Sequence, residues 1–502
     1  MTKYIVTIAP PTPNGDLHLG HIAGPFLAAD IFARIRRLNK DEVFFTSYSD
    51  DYQDYVARKA VELGKEKFEL ARHFSQRMRD TFKKAEINLD CFLISYESED
   101  YKAAIAMCYK GAKTLGTIGE RIADVPYDEQ NKEFGYEAFA RGTCNVCGVE
   151  SDASQCEGCA HSPQPDKMGV MKSVLSMEPM ETVKKNREFL DIARYREFLR
   201  ELYQDNPIRD ELRDFISQVL ESDNLEWYID RPGGHGIDLE IGQEEKTIHT
   251  WFSGLAGYFA GSKDYWKRQD RPERHDYFWK DEQTHLVNFL GFDCSFSHAI
   301  VYPSLMSGLK EYTHRFTQLT NKFLKLEGGD FSTSRNHAIW ADDLLKDYST
   351  DGVRFYLALV SPEFEERNFE LAKFDHWYNA FFLQKIAQLE KLLSDHEVGG
   401  KEIPTVPTNL NGDLYLFYTS WREYSTLETF SITGLAITLQ SLLKNISQQI
   451  EEDENNEALS AALTYIALSE PIHPGLSERL RARYDIDNRS ILEAFERVEV
   501  TT

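Results

Sequence analysis

Two histidines in the stretch NGDLHLGH, His18 and His21, are of a type and spacing suited to holding phosphate. The apolar run from Tyr4 to Ala9 reads as a buried strand. The Pro/Asn/Gly stretch after it reads as a turn, and the Ala/Leu/Ile-rich residues up to Leu38 as a helix. A helix N-terminus presents free backbone N–H groups and partial positive charge to an anion. One turn apart on that first turn, His18 and His21 would add two donors on one face, and Gly20 between them would let a nucleotide come close to the backbone. A second constellation is Cys144, Cys147, Cys156 and Cys159, spaced C-x2-C-x8-C-x2-C with Gly148 and Gly158 on the turns. Four thiolates so placed suit a tetrahedral Zn2+ with no coordination position left for water, which predicts a structural metal. An iron–sulfur cluster takes the same ligands and stays open as the alternative.

These groups need a scaffold, and the chain provides the elements of an α/β protein. VFFTS at 43–47 reads as a second strand that completes a βαβ unit, and SDDYQDY follows at its carboxyl end, where doubly wound sheets place ligands. Residues 53–86 read as amphipathic helix, 120–175 as short strands and turns around the cysteines, and 180–224 as helix with charges at i,i+4. A second α/β segment runs from WYIDRPGGHG at 227–236 to NHAIWADDLL, and beyond about 370 the pattern is helical, with a polar linker near 394–412. With 502 residues the chain has length for two to four domains. A formal net charge of −25 argues against a sequence-blind nucleic-acid binder, whose phosphate contacts need clustered Lys and Arg. The acidic run EEDENNE at 451–457 reads as a solvated loop. Without an apolar stretch of membrane length, and with a strand as its first element, the chain is expected in the cytoplasm, where clustered cysteines bind metal rather than pair. Cys91, Cys108 and Cys294 are then buried thiols.

HLGH after an N-terminal strand resembles the HIGH signature of class I aminoacyl-tRNA synthetases, and Ala9, Asn14 and Gly15 ahead of it resemble the methionyl-tRNA synthetase branch. VPYDEQNKEFGYEAFARGTCNVCG resembles that family's approach to its zinc knuckle, STDGVRFYLAL the segment after its second signature, and LSEPIHPGLSERL its last helical hairpin. The resemblance covers nearly the whole chain. It implies a Rossmann-like catalytic domain in two halves, 1–118 and 226–370, a zinc-knuckle insert at 119–225, and a helical anticodon-binding-like domain at 371–502. It also implies a ligase that uses ATP and Mg2+ to turn an amino acid, methionine or a related one, into an aminoacyl-adenylate and passes it to tRNA, with Zn2+ as a structural metal. His18, His21 and Asn14 would then hold ATP phosphates, with Gly20, Asp293 and Arg335 also in the ATP site. Asp51 would anchor the α-ammonium, although an Asp before a helix also suits an N-cap. Ala9, Pro10, Thr12, Trp251, Tyr258 and His298 would line the amino acid pocket, although each aromatic alone also suits plain core.

The sequence departs from the family at places that matter. Pro10 and Thr12 stand where a Leu and a Tyr usually close over the substrate, so a larger or more polar pocket is expected. DFSTSR at 330–335 keeps Ser332, Ser334 and Arg335 of the second signature but has Asp330 and Thr333 where lysines neutralise pyrophosphate. Arg335, Lys322 and Lys325 are the nearby cations that would have to compensate. Phe292 replaces a Lys before Asp293, and Gly24 replaces an acidic residue after HLGH. The family's anticodon-reading Asn-x3-Arg pair falls on Gln388 and Leu392, and its late Trp is missing, so the helices either dock tRNA without reading the anticodon or serve as a structural or partner-binding unit. Three outcomes stay open: a synthetase charging tRNA, a tRNA-independent ligase passing the activated amino acid to a small molecule or carrier, and a non-catalytic regulatory paralogue.

Overall fold

Apolar runs near the N-terminus become the centre of a five-stranded sheet built from β1 (Lys3–Ile8), β2 (Glu42–Ser49), β3 (Cys91–Ile94), β4 (His285–Gly291) and β5 (Arg315–Asn321). The structure, a computed structural model, describes residues 2–223, 225–241, 244–309, 312, 315–331, 337–396 and 412–499. Strand order is β5-β4-β1-β2-β3, with β1 parallel to both β4 and β2, and β2 parallel to β3. Ile5, Val6, Ile8, Phe44, Phe45, Leu286 and Val287 are fully buried, because a parallel sheet covered on both faces keeps apolar residues on both. Strand order reverses between β1 and β4. The crevice beyond their carboxyl ends is therefore where this topology binds ligands. This is the Rossmann-like α/β class expected from the sequence, with its cysteine-bearing insertion and helical C-terminal region.

By contacts the chain divides into two compact units. The first comprises Met1–Asp16, Glu42–Asp80 and Leu89–Thr320. Besides the parallel sheet it holds helices Glu99–Thr114 and Gly254–Arg268 and an antiparallel sheet between β3 and β4, in which Ile118–Asp128 pairs along its length with Glu181–Asp191. That second strand corrects the expectation of helix across 180–224. Glu181 and Lys184 are exposed along it, Arg187 and Glu188 are buried with Arg187 paired to Asp230 (2.8 Å), and the partner strand overrides the helical propensity of ETVKKNREF. Helix begins later, at Arg196–Gln204 and Asp210–Glu221.

The second unit comprises Leu17–Asp41, Thr81–Asn88 and Asn321–Thr502. Its helices include Leu27–Leu38, Thr350–Leu359, Leu383–Asp395, Asp413–Ser425, Ile432–Glu451, Asn455–Ser469, Pro474–Tyr484 and Asn488–Glu499. Fully buried Arg354 ties the unit together. Its guanidinium donates to Asp30 (2.7 Å) and to the carbonyls of Ala85 (3.0 Å), Pro471 (2.8 Å) and Ile472 (3.0 Å). Most of the polar linker near 394–412 lies outside the described residues. Among the described residues no helix is long and apolar enough to cross a membrane.

Candidate active site

The histidine turn belongs to the second unit and is not the start of a long helix, as the sequence suggested. His18 is extended (φ −97°, ψ 170°), Leu19–His21 forms a single turn, and the chain kinks at Gly24 (ψ −117°) before the helix Leu27–Leu38 begins. Gly24 lies so close to Asn321 that a Cβ there would stand 2.8 Å from the amide nitrogen. A three-residue turn carries little macrodipole, so the case for phosphate binding here rests on the imidazoles. Backbone bonds Leu19 N–H to Ile339 O (3.0 Å) and Ala341 N–H to Leu17 O (2.9 Å) hold the turn in place.

The two rings stack at 3.8 Å, and Phe331 covers the other face of His18 at 4.8 Å. His21 Nδ1 accepts from the His18 backbone N–H (3.2 Å), so the proton of the neutral ring sits on Nε2. Burial lowers both pKa values, that of His21 to about 4, and both rings are neutral donors at pH 7. Gly20 has a local reason to be glycine: a Cβ would meet the His18 ring at 3.0 Å. Ser332, Thr333, Ser334 and Arg335 lie outside the described residues. Of the proposed compensating cations, Lys325 is ion-paired with Asp330 and with Glu366 (3.0 Å), so it offers no net positive charge.

In the first unit, the carboxyl ends of β1 and β4 carry a hydrogen-bonded group. The Tyr258 hydroxyl lies 3.1 Å from the Ile8 carbonyl and 3.0 Å from His298 Nε2. The other ring nitrogen, Nδ1 of His298, faces Ser297 Oγ (3.0 Å) and the Cys294 carbonyl (3.2 Å), and the Ile8 carbonyl also accepts from Ser47 Oγ (3.0 Å). Burial lowers the His298 pKa to about 3, which keeps the ring neutral. Ala9 is fixed by its N–H to the Phe289 carbonyl (2.9 Å), and the turn through Pro10, Thr12 and Asn14 by Asp50 N–H to Pro11 O (3.1 Å) and Asn14 N–H to Thr12 O (2.9 Å).

Asp51 is not an N-cap, since the helix Asp54–Leu63 starts after Gln53. Its buried carboxylate accepts from Ser95 Oγ (2.9 Å), the Tyr96 N–H (3.1 Å) and Ser75 Oγ (3.3 Å), yet burial still raises its pKa to about 6. Asp50 beside it has one donor, Gln53 Nε2 (2.7 Å), and its other oxygen has no hydrogen-bond partner. Burial, with Glu137 and Asp51 nearby, pushes its pKa to about 7. Asp293, just past β4, accepts from Gln155 Nε2 (3.1 Å), a residue of the cysteine loop, and burial raises it to about 6.

Sequence reasoning missed a buried ionic cluster next to these residues. Arg231 pairs with Asp54 (2.6 Å) and Glu137 (3.0 Å), and Glu137 accepts from the Trp251 indole N–H. The participants come from widely separated stretches of the chain, and no local pattern links them. Beside Trp251 is a small, partly open cavity of roughly 20 Å3.

The four cysteines meet the geometry asked of a metal shell. All four sulfurs lie within 4.8 Å of one another, with Cys144–Cys159 at 3.9 Å and Cys147–Cys156 at 3.5 Å. Sulfurs about 2.3 Å from a tetrahedral zinc stand about 3.8 Å apart. Gly148 takes φ +78°, which closes the first turn. Cys91 and Cys108 are buried as expected, and Cys294 partly so.

With this geometry in view, the family model described as tRNA synthetases class I (M) matches residues 4–391. The chain belongs to this family. It is similar to the methionine–tRNA ligase of Pyrococcus horikoshii, 28% identical over 389 residues that cover 74% of this chain and 54% of that protein. The methionine–tRNA ligase of Chlamydia trachomatis serovar A is 29% identical over 383 residues, 74% of this chain and 68% of the relative. The chain thus spans about half the length of the archaeal relatives it matches. Its fold is that of the methionyl-tRNA synthetase of Mycobacterium tuberculosis, a structure in complex with methionyl-adenylate. That match has a TM-score of 0.71 at 17% identity and covers 96% of this chain and 93% of the other.

Proposed function

We propose that the chain activates an amino acid, methionine or one of related side chain, as an aminoacyl-adenylate and transfers it to tRNA. The observation that carries this reading is the Tyr258–His298 pair bonded to the Ile8 carbonyl at the switch point of the sheet, in a chain whose family match runs from residue 4 to 391. In this reading the amino acid lies against Ala9, Pro10 and Thr12, with Asp51 at its ammonium and Trp251, Tyr258 and His298 around its side chain. His18, His21 and Asn14 hold phosphates, Gly20 and Asp293 belong to the nucleotide site, and Ser332, Ser334 and Arg335 act on the departing pyrophosphate.

The amino acid carboxylate attacks the α-phosphorus and the bond to pyrophosphate breaks. Neutral His21, with its proton on Nε2, donates to a phosphate oxygen. It stabilises charge without acting as a base. A Mg2+ ion carried with ATP would supply positive charge at the phosphates, where Asp330 and Thr333 stand in place of lysines. Cys144, Cys147, Cys156 and Cys159 would hold Zn2+, which would fix the loop that carries Gln155 in a structural role. The proposal keeps the division at 118, 225 and 370 and places the enzyme in the cytoplasm.

Exchange of labelled pyrophosphate into ATP, over a panel of amino acids, tests the reading directly. Exchange with methionine or a near relative, followed by acylation of tRNA, is expected. No exchange with any amino acid overturns the proposal. Exchange without acylation of any tRNA keeps the adenylate and replaces tRNA by a small-molecule or carrier acceptor.

A further inference from the structure

Glu137 is the least expected member of the buried cluster. It comes from the strand-and-turn region that carries the cysteines, it is completely buried, and its backbone has φ +36°, a value that costs a non-glycine residue energy. Such strain persists only where surrounding contacts hold it, and two hold this one. Arg231 Nη2 donates to one carboxylate oxygen at 3.0 Å, and the Trp251 indole N–H donates to the other. Arg231 is held in turn by Asp54 at 2.6 Å, so the carboxylate that receives the indole is fixed from both sides. The cavity beside Trp251 has the same mixed parentage: Ser154, Gln155 and His161 come from the cysteine loop, Trp251 from the turn before the helix Gly254–Arg268, and Phe296 and Ser297 from the segment after β4.

We infer that Glu137 is a positioning residue for the amino acid pocket: through the Trp251 indole it fixes the ring beside the substrate side chain, so that the cysteine-bearing insertion helps set which side chains are accepted. This rests on the adenylation reading above. A ring held at its N–H by a fixed acceptor presents one face to the pocket. A free indole samples several rotamers and admits side chains less selectively.

Incorporation of 5-fluorotryptophan gives the seven tryptophans separate 19F resonances, with Trp251 assigned by its loss in Trp251→Phe. Glu137→Ala is expected to shift and broaden that resonance, and Glu137→Gln, which keeps an acceptor oxygen, to leave it near its wild-type position. In pyrophosphate exchange Glu137→Ala is expected to raise KM for the amino acid about tenfold, with kcat and KM for ATP changing less than about threefold. In a Trp251→Phe background the same substitution should change KM by less than about twofold, since contacting residues do not act additively. An unmoved Trp251 resonance in Glu137→Ala, or equal KM effects in both backgrounds, overturns the inference and leaves the adenylation reading standing. No exchange by the wild type with any amino acid overturns both. If Glu137→Ala does not fold, Glu137→Met, which fills the same volume without an acceptor oxygen, carries the cycle with Trp251→Phe, and additive effects there are equally decisive against it.

Discussion

Replacing Asp50 by Asn should stabilise the ligand-free protein, and by more at pH 8 than at pH 5. The wild-type carboxyl is buried, has one donor on one oxygen and none on the other, and has its pKa pushed to about 7 from a usual value of 3.8. A carboxyl whose pKa is higher in the folded than in the unfolded protein binds more protons when folded. Stability therefore falls as pH rises from about 4 to about 7 and is flat above that window. At about 1.36 kcal/mol per pH unit, the ionised group costs the fold about 4 kcal/mol at pH 8 and about 1–2 kcal/mol at pH 5. The amide introduced by Asp50→Asn keeps an acceptor for Gln53 Nε2 and puts a neutral group where the open oxygen stood. The advantage of Asp50→Asn should thus grow by about 3 kcal/mol between the two pH values. Guanidinium unfolding of both proteins at pH 5 and pH 8, followed by tryptophan fluorescence, measures it. An advantage that does not change with pH would refute the argument, because it would mean that Asp50 does not change protonation across this range in the fold.

Three further outcomes follow from the same geometry. His18→Ala and His21→Ala should each slow pyrophosphate exchange at least about tenfold; the wild-type rate should lack an imidazole limb near pH 6.5, since burial holds the His18 pKa well below its usual value and that of His21 at about 4. Arg354→Met removes one of the two guanidinium partners of buried Asp30, the other being Arg34 (2.7 Å), and takes a donor from the Ala85, Pro471 and Ile472 carbonyls; a loss of about 2–3 kcal/mol in unfolding of the helical signal is expected. The protein should contain close to one zinc per chain by elemental analysis. Cys156→Ser should lower that content, and iron in its place would replace the zinc assignment with a cluster.

What could be read from the sequence was local. The histidine turn, the cysteine spacing and the apolar strands β1 and β2 each reveal themselves within about twenty residues, where period and turn chemistry operate. Failures arose where a distant partner decides the outcome. Residues 181–191 have the charge spacing of a helix, and only the strand at 118–128 makes them β. Asp50 and Asp51 are adjacent and chemically identical. Their different environments come from Ser75, Ser95 and Tyr96, which surround one of them and not the other.

The same logic bears on the missing lysines. Read alone, Asp330 is the loss of a cation from a phosphate loop. In the structure it is also the acquisition of a partner: Asp330 and Glu366 both pair with Lys325, so the nearest ammonium is neutralised along with the one replaced. In the proposed reaction, a transition state that gathers negative charge on pyrophosphate would then draw its stabilisation from groups with charge or donors to spare, for which the neutral imidazoles of His18 and His21, Arg335 and a magnesium ion bound with the nucleotide are the candidates. Substituting Asp330 by Lys would restore a cation and leave Lys325 paired with Glu366 instead of with two carboxylates. A rise in kcat of exchange with KM for the amino acid unchanged is the expected result, and an unchanged kcat would mean that charge at 330 lies outside the reach of the chemistry.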